Sequence, residues 1–415
     1  MPTAGSPSRS SAPSLFDLAA RSLTQADAFT LSDDQQAALG QVHQLLAESS
    51  GQRAVVLVSG SAGSGKSALA LTLLGEALRA GYRARHATGS QAFTTALRKT
   101  AGLGSRTTQQ LFQYFGTAAD TEPGSLDLLV CDDAHQLRAT SNTRYTPASR
   151  RSDRTQAADL LDAARVVVFL LDEDQAVRPG QVGTRDYLTT AARASGATVH
   201  TAGLANQHRH RSARYDSWVH RLLGLDDAPF PPDRWNAQEE SEGFELRVVD
   251  SPHEMEQLLC AKTQLGASAR MTAGYCWPWS DAWPGNPLVD DIVIGDWHRP
   301  WSVKGNRAVN GLPPSPLWAI EPAGAGQVGC IYSAQGFEYD YGGVILGPDL
   351  LWRGDRWVTD VAATRDNALT RASAADFDQW VRRTYRVLLT RARAGTVLFS
   401  TDAETRALLH AIIDA

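Results

Sequence analysis

The stretch Ala54–Ala80 reads AVVLVSGSAGSGKSALALTLLGEALRA. Its first part, Val55 to Val58, is apolar and β-branched, and its last part repeats leucine at helical spacing, which predicts a strand, a loop and a helix in that order. The loop GSAGSGKS fits the GxxxxGK[ST] template at every fixed position. Such a loop turns its backbone N–H groups onto a polyphosphate at the start of a helix. We therefore predict that the protein binds a nucleoside triphosphate, with the phosphate-binding residues Gly60, Ser61, Ala62, Gly63, Ser64, Gly65, Lys66 and Ser67.

Four side chains near this loop have predicted chemical roles. Lys66 can reach the β- and γ-phosphates, and the Ser67 hydroxyl can ligate Mg²⁺. A later apolar strand, DLLVC, ends in Asp132 and Asp133. An apolar strand that ends in two carboxylates is the expected partner of a phosphate loop. We assign Asp132 to the metal and Asp133 to the attacking water.

Composition excludes several classes of protein. The chain has 415 residues, 43% of them hydrophobic and 20% charged, with a net charge of −5, as in an ordinary globular protein large enough for two domains. Any nucleic-acid site must therefore be a local groove on a mildly acidic surface. No apolar run is long enough to span a membrane, and residues 1–26 are predicted to be a disordered tail without a signal peptide. We expect a cytoplasmic protein with four buried thiols, no zinc and no disulfide.

Polar residues around the loop are candidates for binding a base or a nucleic-acid backbone. Gln35, just upstream of the phosphate loop, can read adenine through its amide, although a solvated helix-start glutamine would look the same. Four hydroxyl and amide side chains follow the second predicted strand and suit phosphodiester contacts, although an ordinary N-cap cluster would look similar. These four residues are Thr88, Ser90, Gln91 and Thr94.

Two further segments allow two interpretations each. A Ser/Thr-rich loop carries five arginines that either grip phosphates or are simply solvated: Arg138, Arg144, Arg150, Arg151 and Arg154. A proline-rich segment holds six of the eleven tryptophans, which either stack on bases or, as we favour, pack the segment down. These six are Trp277, Trp279, Trp283, Trp297, Trp301 and Trp318.

Strands and helices alternate along both halves of the chain, which predicts two doubly wound α/β domains. We place the boundary near residue 202, giving a first domain of residues 27–202 and a second of residues 203–415. The strand Val166–Leu171 leads to Asp172 and Gln175 at the edge where sites of open parallel sheets gather.

With these residues in order, the chain resembles a superfamily-one helicase, and more closely the bacterial relatives of the Schlafen group-three helicase-like domain. GSAGSGKS resembles Walker A, LLVCDDAHQ the Walker B box, and LDEDQ the GDxxQ motif. In the second half, VGCIYSAQGFEYDYGGVILG resembles motif V and YRVLLTRAR resembles motif VI. The resemblance covers residues ~27–402 and implies two tandem RecA-like domains of the P-loop NTPase class, facing each other across an ATP cleft.

The resemblance also implies roles for single residues. Gln35 would read adenine, Gln175 would sense the γ-phosphate and its water, and Arg209 would contact phosphate. In motif V, Gln335 and Gly336 would lie at the phosphate and nucleic-acid edge, and Glu338 would bind the ribose. In motif VI, Arg391 would reach the γ-phosphate from across the cleft.

The implied function is an ATP-dependent DNA or RNA helicase or single-strand translocase that uses Mg²⁺. The alternative is a nucleotide-gated nucleic-acid-binding protein with little turnover, and a small-molecule phosphotransferase is disfavoured because two arginines from a second domain suit a closing motor. Asp133 stands where the family has glutamate, which shortens the base by one methylene and implies slow hydrolysis. Leu171 replaces the glycine of GDxxQ. The tail shows no nuclease domain of the kind that precedes this module in some relatives.

Overall fold

Two parallel β-sheets form the framework of the protein in a computed structural model that describes residues 14–48, 51–102, 104–142, 146–205, 214–226, 230–235 and 243–413. The first sheet has six strands in the order β3-β2-β4-β5-β1-β6, and every neighbouring pair is parallel. These strands are β1 (Ala54–Gly60), β2 (Ala84–Thr88), β3 (Phe112–Tyr114), β4 (Leu126–Asp132), β5 (Ala164–Leu171) and β6 (Thr198–Leu204).

The second sheet has five strands in the order β11-β8-β12-β15-β7, again all parallel. Two antiparallel ribbons, β9 with β10 and β13 with β14, accompany it. The strands of this half are β7 (Glu245–Val248), β8 (Ala269–Ala273), β9 (Ile292–Ile294), β10 (Trp297–Arg299), β11 (Val328–Gly329), β12 (Tyr339–Leu346), β13 (Leu350–Arg353), β14 (Arg356–Thr359) and β15 (Ala392–Ser400). We call the part of the chain that forms the six-stranded sheet the first domain and the part that forms the five-stranded sheet the second domain.

Helices cover the sheets. They are α1 (Leu15–Ser22), α2 (Asp33–Ala47), α3 (Lys66–Arg79), α4 (Gln91–Thr100), α5 (Arg106–Gln109), α6 (Gln156–Ala163), α7 (Arg185–Ala194), α8 (Tyr215–Leu222), α9 (Pro252–Gln264), α10 (Ile331–Ala334), α11 (Ala374–Leu389) and α12 (Ala403–Ile413). Short 3₁₀ turns are Phe115–Asp120, Ala134–Gln136, Ala148–Arg150, Glu173–Gln175, Ser315–Leu317 and Pro322–Gly324. None of the helices in the described ranges has an apolar stretch that could cross a bilayer.

Strands β1, β4 and β5 agree with the sequence-based strands to within two residues at each end, because they are buried apolar runs with clear boundaries, whereas β3 and β6 were not predicted. The division into two domains stays a prediction, and β6, which pairs with β1, runs through the boundary set near residue 202. In motif V the apolar run Val328–Tyr332 predicts a strand from the sequence, but the strand in the structure ends at Gly329. Ser333 Oγ accepts a hydrogen bond from the Cys330 N–H at 3.0 Å and starts α10 there.

Part of the predicted disordered tail is instead the helix α1. Ser14 and Asp17 cap its start reciprocally, with Ser14 N donating to Asp17 Oδ2 at 3.0 Å and Asp17 N donating to Ser14 Oγ at 3.2 Å. The buried Phe16 ring lies 5.5 Å from Phe93 of α4 and 5.5 Å from Phe337 of the second domain, measured between ring centroids. The helix therefore packs against both domains.

A glycine in α3 makes room for α1. A Cβ built on Gly75 would lie 2.0 Å from the Ser22 carbonyl oxygen, so only glycine allows this approach. Arg79, one turn further along α3, donates a hydrogen bond to the same carbonyl. A glycine inside a helix costs about 0.5–1 kcal/mol relative to alanine, and here the contact with α1 offsets that cost.

We predict that Gly75→Ala lowers the melting temperature, although alanine is the better helix former. The added methyl group must displace the backbone of α1, at a cost of about 1–3 kcal/mol. The control is Gly40→Ala in α2, where a Cβ meets nothing within 4 Å and the melting temperature should stay equal or rise. Circular-dichroism melts of both variants measure the difference. A Gly75→Ala protein as stable as Gly40→Ala would contradict the close packing of α1 on α3.

Candidate functional site

The carboxyl edge of the first sheet gathers the predicted catalytic residues. Strand β1 ends at Gly60 beside the end of β5, and Thr88 at the end of β2 pairs in register with Asp132 at the end of β4. The strand order therefore brings the phosphate loop together with Asp132 and Asp172, although more than 60 residues separate them in sequence. This is the edge at which open parallel sheets bind ligands.

The phosphate loop has the backbone that its glycines predict. Gly63 and Gly65 have φ values of 85° and 77°, and Gly65 is the N-cap of α3. The Lys66 ammonium group is buried and donates to the Gly60 and Ser61 carbonyls at 2.7 Å each. The ammonium group thus lies over the loop, where a bound phosphate can replace the two carbonyl groups as its hydrogen-bond acceptor.

Gln35 is buried next to the loop, and its amide makes two bonds within the protein. Its Oε1 accepts from Ser32 N at 2.9 Å, and its Nε2 donates to the Ser64 carbonyl at 2.9 Å. It therefore ties the start of α2 to the phosphate loop. The predicted adenine contact stays a prediction.

Asp132 has the surroundings of a metal-binding carboxylate. It is fully buried, and its Oδ2 has no hydrogen-bond partner within the described part of the chain, with the His86 Nε2 atom 3.6 Å away. Burial alone would raise its pKa, but His86, Ser67 and Lys66 together bring the pKa below its usual value. It is therefore ionised at neutral pH and has an oxygen available to a cation.

Asp133 has an unusual backbone and an unusual acidity. Its φ of 53° lies in the left-handed region, which is rare for residues other than glycine and concentrates at functional sites. Burial, followed by the charge of Asp132, raises its pKa to about 7, against the opposing charges of Lys66 and Arg391. A carboxylate poised near neutral pH suits a general base.

Asp172 connects the two domains. Its Oδ2 accepts from Gln175 Nε2 at 2.8 Å and lies 4.0 Å from Lys66 Nζ and 3.9 Å from Arg386 Nη1, and all four side chains are buried. Burial would raise its pKa, but the two cations and the Gln175 hydrogen bond bring it down to about 2. Arg386 lies on α11 of the second domain, and its Nη2 also faces Asp216 Oδ2 at 3.5 Å. The sequence analysis missed Arg386, whose only signal is an arginine on the apolar face of α11.

A cavity of about 280 Å³ lies between the domains. The first domain contributes Lys66, Ser67, Asp133 and Gln175 to its polar wall. The second contributes the predicted residues Gly336, Glu338 and Arg391, together with Arg393. Arg391 is buried, and its Nε donates to the Val387 carbonyl at 2.9 Å. The structure thus brings most of the predicted site residues into one cavity.

A second, larger cavity of about 660 Å³ lies beside the first. Thr88, Ser90, Gln91 and Arg138 line it, whereas the Thr94 hydroxyl is buried and donates to the Ser90 carbonyl within α4. The far wall comes from the second domain and includes Gln335, which the resemblance places at the phosphate and nucleic-acid edge, and Tyr332, to which the sequence analysis gave no role.

Two contacts cross from one domain to the other near this cavity. Gln335 Nε2 donates to the Gln175 carbonyl at 3.1 Å, and the guanidinium carbon of the half-buried Arg178 lies 3.5 Å from the Tyr332 ring centroid. Gln175 therefore lines the smaller cavity and contacts Gln335 at the larger one.

The remaining candidates have different outcomes. Arg209 and Arg144 lie outside the described residues, as does the side chain of Arg150. Arg154 pairs with Asp159 and Asp162. Packing is confirmed for Trp297, Trp301 and Trp318, which are buried, whereas the Trp283 side chain is 66% exposed. Of the four thiols, Cys131, Cys276 and Cys330 are buried and Cys260 is exposed.

Comparison with known proteins gives the family. The profile described as Schlafen group 3, DNA/RNA helicase domain matches residues 53–402. The chain belongs to this family. The phosphate loop, motif V and motif VI of this chain are therefore to be compared with those of other members of the Schlafen group 3 helicase family. A search of curated proteins returned no match.

Solved structures give more distant likenesses. The Pif1 helicase from Candida albicans is 12% identical, with 92% of this chain and 99% of that chain covered and a TM-score of 0.38. AMPPCP-bound DnaA from Aquifex aeolicus is 19% identical over 49% of this chain and 56% of that chain, with a TM-score of 0.25. A DNA replication initiation factor is 17% identical, with a TM-score of 0.24, and this chain spans 55% of its length. None of these likenesses bears on activity.

The acidity of Asp133 predicts a pH-dependent stability. Its pKa is about 7 in the folded protein and about 4 in an unfolded chain. Between about pH 4 and pH 7, the folded protein therefore keeps a proton on Asp133 that the unfolded chain has lost. The contribution of this group to the free energy of unfolding is fully present below about pH 4 and is lost as the pH rises to about 7. Asp133→Asn should melt at a higher temperature than the wild type at about pH 8, with a smaller gain at about pH 5.

The matched control is Asp127→Asn on the same strand, β4. Hydrogen bonds from Arg83 lower the Asp127 pKa, so this carboxyl group is ionised in the folded and the unfolded protein at both pH 5 and pH 8. Asp127→Asn should therefore change the melting temperature by the same amount at the two pH values. Parallel pH profiles of the melting temperature for the wild type and Asp133→Asn would refute the raised pKa.

Proposed function

We propose that the protein is an ATP-dependent DNA or RNA helicase or single-strand translocase, in which ATP hydrolysis is coupled to closure of the two domains. The observation that carries this proposal is the cavity that Lys66 and Ser67 line from the first domain and Glu338 and Arg391 line from the second. A triphosphate bound there contacts both domains, so the charge of its γ-phosphate holds them together. Hydrolysis then releases the second domain.

Ser67 and Asp132 are the residues that would hold Mg²⁺. The partnerless Oδ2 of Asp132 in the described structure and the proximity of Ser67 to this carboxylate fit such an ion. When bound, Mg²⁺ neutralises charge on the β- and γ-phosphate oxygens. Lys66 supplies the second positive charge at these phosphates.

Asp133 would accept the proton of the attacking water, for which it must be ionised. Gln175 would orient that water, since Asp172 fixes its amide at 2.8 Å. Arg391 would stabilise the charge that spreads over the γ-phosphoryl oxygens in the transition state, with Arg209 as a further phosphate contact. Gly336 and Glu338 would contact the phosphate edge and the ribose.

The larger cavity is the proposed place of a single nucleic-acid strand. Its wall carries hydroxyl and amide groups from the first domain, which suit phosphate and sugar contacts, and Arg138 supplies a positive charge. Because Gln175 lines the smaller cavity and donates to Asp172, while its carbonyl accepts from Gln335 at the larger cavity, closure on ATP would change the contacts with the strand. The cytoplasmic location inferred from composition stays a prediction.

The second candidate function is a nucleotide-gated nucleic-acid-binding protein with little turnover. Asp133 favours this candidate, because its carboxyl group is short for the family and its pKa of about 7 leaves a large fraction protonated at neutral pH. A protonated carboxyl group cannot accept the proton of the water. The steady-state ATPase rate with and without single-stranded DNA or RNA distinguishes the two functions. An ATPase rate that rises when single-stranded DNA or RNA is added supports the helicase or translocase function.

We predict that Arg391→Ala lowers the ATP turnover number by about 10³-fold or more, the effect typical of an inserted arginine. ATP affinity should fall much less, because most ground-state contacts lie in the first domain. Single-turnover hydrolysis and equilibrium nucleotide binding measure the two quantities.

The control is Arg382→Ala on the same helix region. Arg382 pairs with Asp378 and does not line the cavity, so this variant should hydrolyse ATP at the wild-type rate. Normal hydrolysis by folded Arg391→Ala would mean that the ATP site lies in one domain, and the motor proposal would fall.

A further inference from the structure

The segment that joins β8 to β11, residues 274–327, carries a tryptophan whose side chain lies in solvent. Trp283 is 66% exposed, whereas Trp297, Trp301 and Trp318 of the same segment are buried. An exposed indole leaves a large apolar area in water, and tryptophans are highly buried on average. A lone exposed apolar side chain is nevertheless ordinary. The surroundings of Trp283 therefore decide whether it has a role.

Trp283 belongs to a tip that is formed by two loops, residues 281–286 and 304–310. The Asn310 side chain accepts a hydrogen bond from a backbone N–H of the first loop at 2.9 Å and donates one back to a carbonyl of that loop. Lys304 Nζ and Asp281 Oδ1, 3.1 Å apart, join the loops a second time. The side chains of the tip therefore have a defined position before any ligand binds, which lowers the entropy cost of binding.

Packed aromatic rings hold the base of the tip next to the larger cavity. Trp301 Nε1 donates to the Pro278 carbonyl at 2.6 Å and so joins the two chain segments that lead into the tip. The Tyr275 ring centroid lies 5.9 Å from that of Trp301 and 6.1 Å from that of Tyr332. Because Tyr332 lines the larger cavity, the tip and this cavity wall belong to one packed unit.

The second loop of the tip reaches the mouth of the larger cavity and carries positive charge. Gly305 and Asn306 line the cavity, and Arg307 follows them with an exposed side chain that makes no ion pair within the described residues. The two loops hold one acid, Asp281, against the cations Lys304 and Arg307, on a chain whose net charge is −5. The tip is therefore a local positive region that suits a phosphate backbone.

We propose that the tip is a second contact for the nucleic-acid strand, in which Trp283 stacks on an unpaired base just outside the larger cavity and Arg307 binds a phosphate. The proposal rests on the proposed function, since it takes the larger cavity as the place of the strand. Sites for single strands combine aromatic rings that stack on bases with cations that follow the backbone. Every base has a face that can stack, so the tip binds single strands of any sequence.

Fluorescence anisotropy tests the stacking contact with two labelled strands of about 16 nucleotides. One is oligothymidylate or oligouridylate, whichever the wild type binds more tightly, and the other is an abasic strand with the same backbone. Trp283→Ala should weaken binding of the first strand about 5–150-fold, the range for one stacked base. The abasic strand should bind unchanged, because it has no base to stack. Trp283→Phe should keep most of the affinity.

The matched control is Leu265→Ala. Leu265 lies just after α9, outside the tip, and is 82% exposed, so this variant also removes an exposed apolar side chain. It should bind both strands as the wild type does.

Arg307→Ala tests the phosphate contact. Both strands carry phosphates, so this variant should weaken both. The slope of the logarithm of affinity against the logarithm of salt concentration should become shallower by about 0.7, the value for one phosphate contact on a single strand. An unchanged slope would remove Arg307 from the contact.

Three results would overturn the stacking proposal while the proposed function stands. They are wild-type affinity of Trp283→Ala for the base-containing strand, an equal loss on the two strands, and a wild-type oligomer that Trp283→Ala converts to monomers without a change in strand affinity. The last result would assign the indole to an interface between copies of this chain. A wild-type protein that binds neither strand, with or without a non-hydrolysable ATP analogue, would overturn the proposed function itself.

Discussion

The buried carboxylate of Asp172 is the interaction on which the cleft depends. It lies about 4 Å from a cation of each domain, with Lys66 on one side and Arg386 on the other. Removing three charges from water is expensive, and their mutual attraction offsets that cost only while the domains stay together. A triphosphate that draws Lys66 away from Asp172 and from the loop carbonyls changes this balance. The nucleotide therefore competes with Asp172 for Lys66, and its binding changes the charge that faces Arg386 of the second domain.

From Asp172 a chain of contacts leads to the larger cavity. Gln175 joins Asp172 to Gln335, and three residues further along Arg178 stacks on Tyr332. The Gln175–Gln335 and Arg178–Tyr332 contacts each join one domain to the other, so a rigid movement of the second domain must break or remake both together, whereas the Gln175–Asp172 hydrogen bond lies within the first domain. A continuous chain of contacts does not by itself prove that the two cavities are coupled. Coupling requires two conformations of the protein whose equilibrium is shifted by both the nucleotide and the nucleic-acid strand.

The sequence predicted the parts of this site that depend on local signals. The phosphate loop, the strand before it and the carboxylates at the end of β4 are encoded within a few neighbouring residues. The helix α1 was missed because its eight residues follow a Ser/Pro-rich segment and owe their order to Phe93, Gly75 and Phe337, which lie far away in sequence. Arg386 was missed because a buried arginine is recognised only when its distant partners are known. Gln35 was located, but its hydrogen bonds depend on a loop carbonyl 29 residues away.

The central claim is that nucleotide state controls the grip on a nucleic-acid strand through movement of the two domains. The most direct measurement is the affinity of the wild-type protein for a fluorescent single strand in three states: without nucleotide, with a non-hydrolysable ATP analogue and with ADP, each with Mg²⁺. By linkage, a coupling of about 1–3 kcal/mol appears as a change of about 5–150-fold between the analogue and ADP. We predict a change within this range for DNA, RNA or both. Equal affinities in all three states would contradict the account.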